Sequence, residues 1–239
     1  MHDGADGVEL DVCLTRDGVP VVIHDATLRR TALSKGFIAQ MSSRELSHID
    51  VGSWFNRAKP RLARQEYALE VVPTLDQVFS FFSNSIRPEV SRARIYVEMK
   101  SQAQASSSSD LARSTAQLIK DHDLRQQVIV VSFDLRVIAL IRHLDSSLRT
   151  GALFAPSRNA ATMIRKRQMV AAASDSGADE ILLHRVLASH RMVELAAEKD
   201  LRSAVWTVRD PKWVRRARSW GIHALITNNP AKLRAAQVG

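Results

Sequence analysis

Seven short apolar, β-branched runs recur along this chain, at residues 8–14, 94–100, 128–133, 150–155, 180–184, 203–208 and 224–227. Between them lie longer stretches with helical amphipathic spacing, at 74–84, 110–124, 134–144, 159–177, 189–200 and 211–221. Strands that alternate with helices in this way build a parallel sheet covered by helices. Closure at eight strands is the stable form of such a sheet, so seven β/α units predict an α/β TIM (β/α)8-type barrel with one unit missing. At 239 residues the chain is a single barrel domain over 1–239, with no second boundary. Residues 26–72 break the rhythm; with Trp54, Phe55 and a basic patch around 57–64 they form an elaborated loop, of the kind that barrels place at their catalytic face.

Composition narrows the partners. No apolar run approaches the ~20 residues of a membrane helix, so no transmembrane segment is expected. The net charge of +9 favours an anionic partner. The arginines (Arg113, Arg142, Arg165, Arg215, Arg216 and Arg218) are nevertheless spread along helices without interleaved aromatics, which points to a solvated surface rather than nucleic-acid binding. The single Cys13 excludes an intramolecular disulfide and fits a reducing, cytoplasmic setting. Nothing in the pattern sets the oligomeric state.

The chemistry concentrates on two strands. In "VELDV", Glu9 and Asp11 are two residues apart and share a face. Like charges this close call for a bound cation or a shared proton, although a salt-bridged strand end would also satisfy them. In "YVEMK", Glu98 and Lys100 repeat the spacing. Three carboxylates without a Cys/His cluster describe an oxygen-rich site for Mg²⁺ or Ca²⁺ rather than zinc. His24, in "VVIHD", ends an apolar run before a turn, where an imidazole reaches a barrel mouth and suits proton transfer. His184 closes a strand and is a lesser candidate; His48, His122, His143, His190 and His223 are expected to face solvent.

These residues carry a resemblance. "GADGVELDVCLTRDGVPVVIHDATLRRT", then "PTLDQVF", "IYVEMK", "VVSF", "VWTV" and "ITNNPAKL", resemble in order and spacing the glycerophosphodiester phosphodiesterase family, from Gly4 to about Leu233. The resemblance implies a TIM barrel that uses a divalent cation to cleave a small-molecule glycerophosphodiester to glycerol 3-phosphate and an alcohol. It implies that Glu9, Asp11 and Glu98 are the metal ligands and that Lys100 meets the phosphate. It makes His24 one of two catalytic histidines and Trp206 an aromatic wall beside the glycerol. Asn228 and Asn229 could reach a ligand hydroxyl, whereas Phe133 reads as packing.

The family opens with a strand ending in His-Arg-Gly and a helix preceded by Glu-Asn. Neither occurs here, and residues 1–3 correspond to the tail of that helix. The expectation is therefore an internal start, with the first β/α unit and its histidine absent and turnover impaired. Two rival readings stay open: a non-catalytic remnant that binds metal or phosphate, and a related barrel phosphodiesterase acting on phospholipids.

Overall fold

The structure is a computed structural model that describes residues 3–32, 34–85, 87–100, 105–156 and 166–238. His2 and residues 159–165, the first part of the helix expected at 159–177, lie outside them. Among the described residues there are eight strands: β1 (Gly7–Leu14), β2 (Pro20–Val22), β3 (Arg94–Met99), β4 (Val128–Ser132), β5 (Arg149–Phe154), β6 (Glu180–His184), β7 (Arg202–Trp206) and β8 (Ala224–Leu225). The helices are α1 (Ser43–Leu46), α2 (Ser53–Ala58), α3 (Leu75–Ser83), α4 (Pro88–Ser91), α5 (Ala105–Asp121), α6 (Leu135–Leu144), α7 (Lys166–Asp175), α8 (His190–Ala197), α9 (Lys212–Trp220) and α10 (Pro230–Val238). The strands form one sheet in the order β2-β1-β3-β4-β5-β6-β7-β8, parallel from β4 to β8.

The seven expected strands are all there, within a residue or two at most ends. The eighth, β2, is an addition, and it is antiparallel: Val12 pairs with Val22 and Leu14 with Pro20. Asp17-Gly18 makes the turn between them. Gly18 adopts φ +77°, the left-handed conformation that Gly supplies in such hairpins. Asp17 is held well below the usual carboxylate range, to about 2, first by the Thr15 hydroxyl and, against burial, by Ser43.

The chain divides into two compact units, Met1–Glu9 with Arg87–Val97 and Arg125–Gly239, and Leu10–Ile86 with Glu98–Leu124; β1 and β3 run through both. In the first unit, Tyr96, Ile129, Val131, Leu153, Leu182 and Ala204 bury one face of the strands together. The other face packs on helices: Ile181 and Leu183 meet Met169, Val170 and Met192 of α7 and α8. Each fully buried branched side chain contributes roughly 1.5–3 kcal/mol. Helix ends are set locally. Ser189 caps α8 through its side chain, and Gly221, with φ +77°, ends α9.

In the second unit the core gathers Cys13, Val21, Ile23, Leu28, Ile38, Leu46 and Val72. The stretch at 26–72 is thus anchored by its own apolar side chains rather than being a bare loop. It carries α1 and α2 and three short 3₁₀ turns. Thr74 and Gln77 form a capping box at the start of α3.

Of the histidines expected to face solvent, His122 is largely covered and His223, though exposed, is held by a buried carboxylate. The His122 imidazole is 15% exposed, bonds the Asp76 carboxylate at 2.8 Å and meets the Phe79 ring edge-on. His223 Nε2 lies 3.1 Å from Glu180 Oε2, and its Nδ1 meets the Ser203 carbonyl at 2.9 Å. Sequence polarity alone cannot reveal such pairings, because both partners are far away along the chain.

Glu180 is fully buried and is met by Arg202 and by the Tyr96 hydroxyl, which donates at 2.9 Å. Burial is the largest single influence on this carboxyl and raises its pKa, but the hydrogen bond and charge of His223, the charge of Arg202 and the Tyr96 bond outweigh it and hold it below the usual range. The stability it confers is therefore present above the unfolded value, about pH 4.3, and is lost as pH falls through the lower folded value. Glu180→Gln leaves His223 and Arg202 facing a neutral group. With Arg202 half exposed, the expected loss is about 2 kcal/mol, smaller than for a wholly buried pair. Thermal melts should fall by roughly 4–8 °C at neutral pH, with a smaller deficit in acid. Unchanged melting at pH 7 would show that the network contributes nothing.

Candidate metal and phosphodiester site

Strand alternation places the candidate residues. Along β3, Ile95, Val97 and Met99 are buried on one face, while Tyr96 and Glu98, followed by Lys100, occupy the other. Tyr96, near the N-terminal end, serves Glu180, and Glu98 and Lys100 follow at the C-terminal end, where β/α folds place their chemistry. β1 and β3 are neighbours, and the Lys100 N–H donates to the Val12 carbonyl at 3.1 Å. Asp11 and Glu98 thereby come level on adjacent strands.

Lys100 Nζ lies 2.7 Å from Asp11 Oδ1 and 2.5 Å from Glu98 Oε1, with all three side chains largely buried. Glu9, two residues before Asp11 on the same strand, completes the acidic group: one oxygen of each of Glu9, Asp11 and Glu98 lies within 4.8 Å of the others. Burial pushes the Glu98 carboxyl above its usual range, and Lys100 only partly offsets it. Lys100 is moved up: burial opposes its charge, but the bonds to Asp11 and Glu98 outweigh burial and keep it an ammonium. Three carboxylates against one ammonium leave two negative charges when all are ionised, which fits a divalent cation.

The donor set is all oxygen and carboxylate-rich. This is the chemistry that Mg²⁺ and Ca²⁺ prefer and that gives zinc little selectivity.

His24 follows β2 and is 63% exposed on its side chain. Asp25 Oδ1 lies 2.6 Å from His24 Nδ1, and its other oxygen accepts from Arg30 Nε at 2.6 Å. Arg30, first, and His24 hold the Asp25 carboxyl below the usual range, so Asp25 is an ionised acceptor. The ring must then carry its proton on Nδ1, leaving Nε2 to accept when the imidazole is neutral. Arg30 also stacks over the Trp54 ring, 5.4 Å from its centroid. Sequence reading singled out His24 but missed Asp25 and Arg30; the signal was the His-Asp dipeptide followed five residues on by Arg.

In the first unit, Trp206 ends β7, half-buried, with Nε1 donating to the Leu182 carbonyl at 3.2 Å. His184 meets its ring edge-on at 5.1 Å and Phe133 at 5.7 Å. Phe133 packs against that ring, as expected, yet is 44% exposed. It sits one residue past β4, where the strand has left the core. Burial, first, and Arg185 lower the His184 pKa. These rings mark the C-terminal ends of β4, β6 and β7. Asn229 accepts from the Lys232 N–H at 3.0 Å, the bond of a helix cap at the start of α10.

A mostly parallel β/α sheet with three carboxylates and an ammonium at strand ends has the donors to hold a divalent cation, and a carboxylate-held histidine can move a proton. The sequence profile of the Glycerophosphoryl diester phosphodiesterase family matches residues 1–232, and the chain belongs to that family, as a phosphoric diester hydrolase. A glycerophosphodiester phosphodiesterase of Bacillus subtilis (strain 168) is 28% identical over 236 residues, covering 95% of this chain and 74% of that protein. Among solved structures, a Silicibacter pomeroyi protein put forward as a glycerophosphoryl diester phosphodiesterase superposes with a TM-score of 0.84 at 20% identity, covering 99% of this chain and 84% of that one. An Oleispira antarctica phosphodiesterase, solved with its product sn-glycerol-3-phosphate, gives 0.79 at 21%, covering 100% and 87%. At these identities the likeness is one of fold, the barrel fold of the family.

Proposed function

We propose that the chain hydrolyses glycerophosphodiesters to glycerol 3-phosphate and an alcohol, with a divalent cation held by Glu9, Asp11 and Glu98. The observation that carries this reading is the grouping of those three carboxylates from two adjacent strands, with Asp11 and Glu98 both on Lys100, in a chain of this family. The cation, Mg²⁺ or Ca²⁺, would supply charge neutralisation at the phosphate. Lys100, fixed by two carboxylates, presents a positive charge for a phosphate oxygen and stabilises the negative charge that grows there. His24, oriented by Asp25 through Nδ1, transfers a proton at Nε2, to the departing alkoxide in this reading. Trp206 offers a ring against which the carbon face of glycerol can lie. The product in the Oleispira antarctica structure supports the same substrate class by analogy of fold. Cys13, the one cysteine, is buried with Sγ toward the Ile23 carbonyl, which fits a reducing, cytoplasmic setting.

The test is hydrolysis of glycerophosphocholine, followed by enzymatic detection of glycerol 3-phosphate. Turnover should require Mg²⁺ or Ca²⁺ and stop on chelation. Activity that persists in excess chelator would defeat the metal assignment. Cation binding with no turnover would instead support a barrel that binds metal and phosphate without catalysis, and preferential cleavage of a phospholipid would support the lipid-diester reading.

A further inference from the structure

Residues 52–69, within the second compact unit, form an excursion that is closed several times over. At its base the Val51 N–H donates to the Glu70 carbonyl at 2.9 Å. Asn56 spans it with two bonds: Nδ2 donates to the Arg64 carbonyl at 2.8 Å, and Oδ1 accepts from the Arg64 N–H at 3.1 Å. The Phe55 and Tyr67 rings meet edge-on at 5.6 Å, and Trp54 meets Phe55 at 6.1 Å. A Cβ on Gly52 would fall 1.6 Å from the Tyr67 carbonyl oxygen, so the close approach of α2 to the returning chain requires glycine. Such internal closure makes a compact loop with its ends together, a type that often carries function.

What this framework holds up is exposed. Every residue from 57 to 66 is exposed. The sequence there, "RAKPRLARQE", sets four cations (Arg57, Lys59, Arg61 and Arg64) against Glu66 alone. Among the described residues the segment's one recorded ion pair is Arg64 with Glu66, at 3.8 Å. Leu62 is 62% exposed and Leu69 83%, unusual for large aliphatic side chains in a segment otherwise tied down.

We propose that this loop, through the exposed residues 57–62 at its tip and the exposed Leu69 nearer its base, is an interfacial docking surface for an anionic lipid bilayer. Arg61 and Arg64 flank the exposed Leu62, and Leu69 is a second exposed leucine nearer the base: ammonium and guanidinium groups meet the lipid phosphates while the leucines enter the acyl boundary. A single-stranded nucleic acid would ask for exposed aromatic faces beside the cations. Here the aromatics lie beneath the tip: Trp54 and Tyr67 contact Phe55, Arg30 covers Trp54, and Arg64 lies 5.9 Å from the Tyr67 ring centroid. The loop presents leucine instead. Through Trp54 and Arg30 it also connects to Asp25 and His24, so docking holds that histidine beside the membrane. Resting on the phosphodiesterase reading above, this points to diesters encountered at a lipid surface.

The experiment is co-sedimentation of the full chain with phosphatidylcholine vesicles, with and without phosphatidylglycerol, at low and high salt. Binding is expected only to the phosphatidylglycerol vesicles, and weaker at high salt. Lys59→Glu with Arg61→Glu should weaken it by on the order of tenfold or more. Leu62→Ser with Leu69→Ser should weaken it severalfold at unchanged charge. In both variants, hydrolysis of water-soluble glycerophosphocholine and the thermal melt stay at wild-type levels, which separates loss of docking from failure of the catalytic reading. Equal binding to neutral vesicles, insensitivity to either pair of substitutions, or tighter binding to a single-stranded oligonucleotide than to the vesicles would overturn the proposal.

Discussion

Glu98→Gln is expected to lower hydrolysis by roughly a thousandfold while leaving thermal stability within about 1 kcal/mol of wild type. The two effects separate because of where the residue sits. Glu98 is 9% exposed, and burial already pushes its carboxyl above the usual range. A neutral amide of the same shape therefore relieves a desolvated charge, and Lys100 keeps its bond to Asp11. Function has no such relief. A neutral amide is a poor replacement for a carboxylate ligand of a hard cation. The charge stabilisation a bound cation gives is several kcal/mol, and each 1.4 kcal/mol is a factor of ten in rate. Calorimetric titration with Mg²⁺ or Ca²⁺ should show binding to the wild type and little to the variant. Activity within tenfold of wild type would remove Glu98 from the metal site.

Much of this site could be read along the strands, because period-two alternation is a local property. Glu9 with Asp11, and Glu98 with Lys100, could be assigned to shared faces from spacing alone. That β1 and β3 are neighbours, so that both pairs meet at Lys100, depends on sheet order and is not a local property. The seven strands were legible for the same reason: each lies in a local run of four to seven residues between helix-like stretches. β2 is three residues long and was overlooked, although Asp17-Gly18 between "VELDVCL" and "VPVVI" is a hairpin signal. Two other features escaped for a different reason. His223 with Glu180, and Arg30 over Trp54, are pairs 43 and 24 residues apart whose partners only the fold selects. Residues 26–72 looked like an irregular insertion because their apolar positions, such as Leu28, Ile38, Leu46 and Val72, follow no single period, yet they share one core.

His24→Ala is expected to reduce hydrolysis of glycerophosphocholine by about 10²- to 10⁴-fold, the range for losing a positioned proton-transfer group. The side chain is 63% exposed, so its removal leaves no cavity and the fold should melt normally. Asp25→Asn should share part of the loss. It keeps a hydrogen-bonding group of the same size beside Nδ1 but gives up the charge that selects the Nδ1–H tautomer, and it loosens Arg30. The loss should fall on kcat more than on KM, because orienting the ring matters chiefly in the transition state. The leaving group then distinguishes which proton His24 moves. If Nε2 protonates the departing alkoxide, a nitrophenyl diester, whose leaving group needs no proton, should be hydrolysed by His24→Ala with a much smaller deficit than glycerophosphocholine. A deficit equal for both substrates would place His24 on the side of the attacking water instead. Wild-type rates on both would remove it from the reaction altogether, leaving Lys100 and the three carboxylates as the whole of the chemistry on β1 and β3.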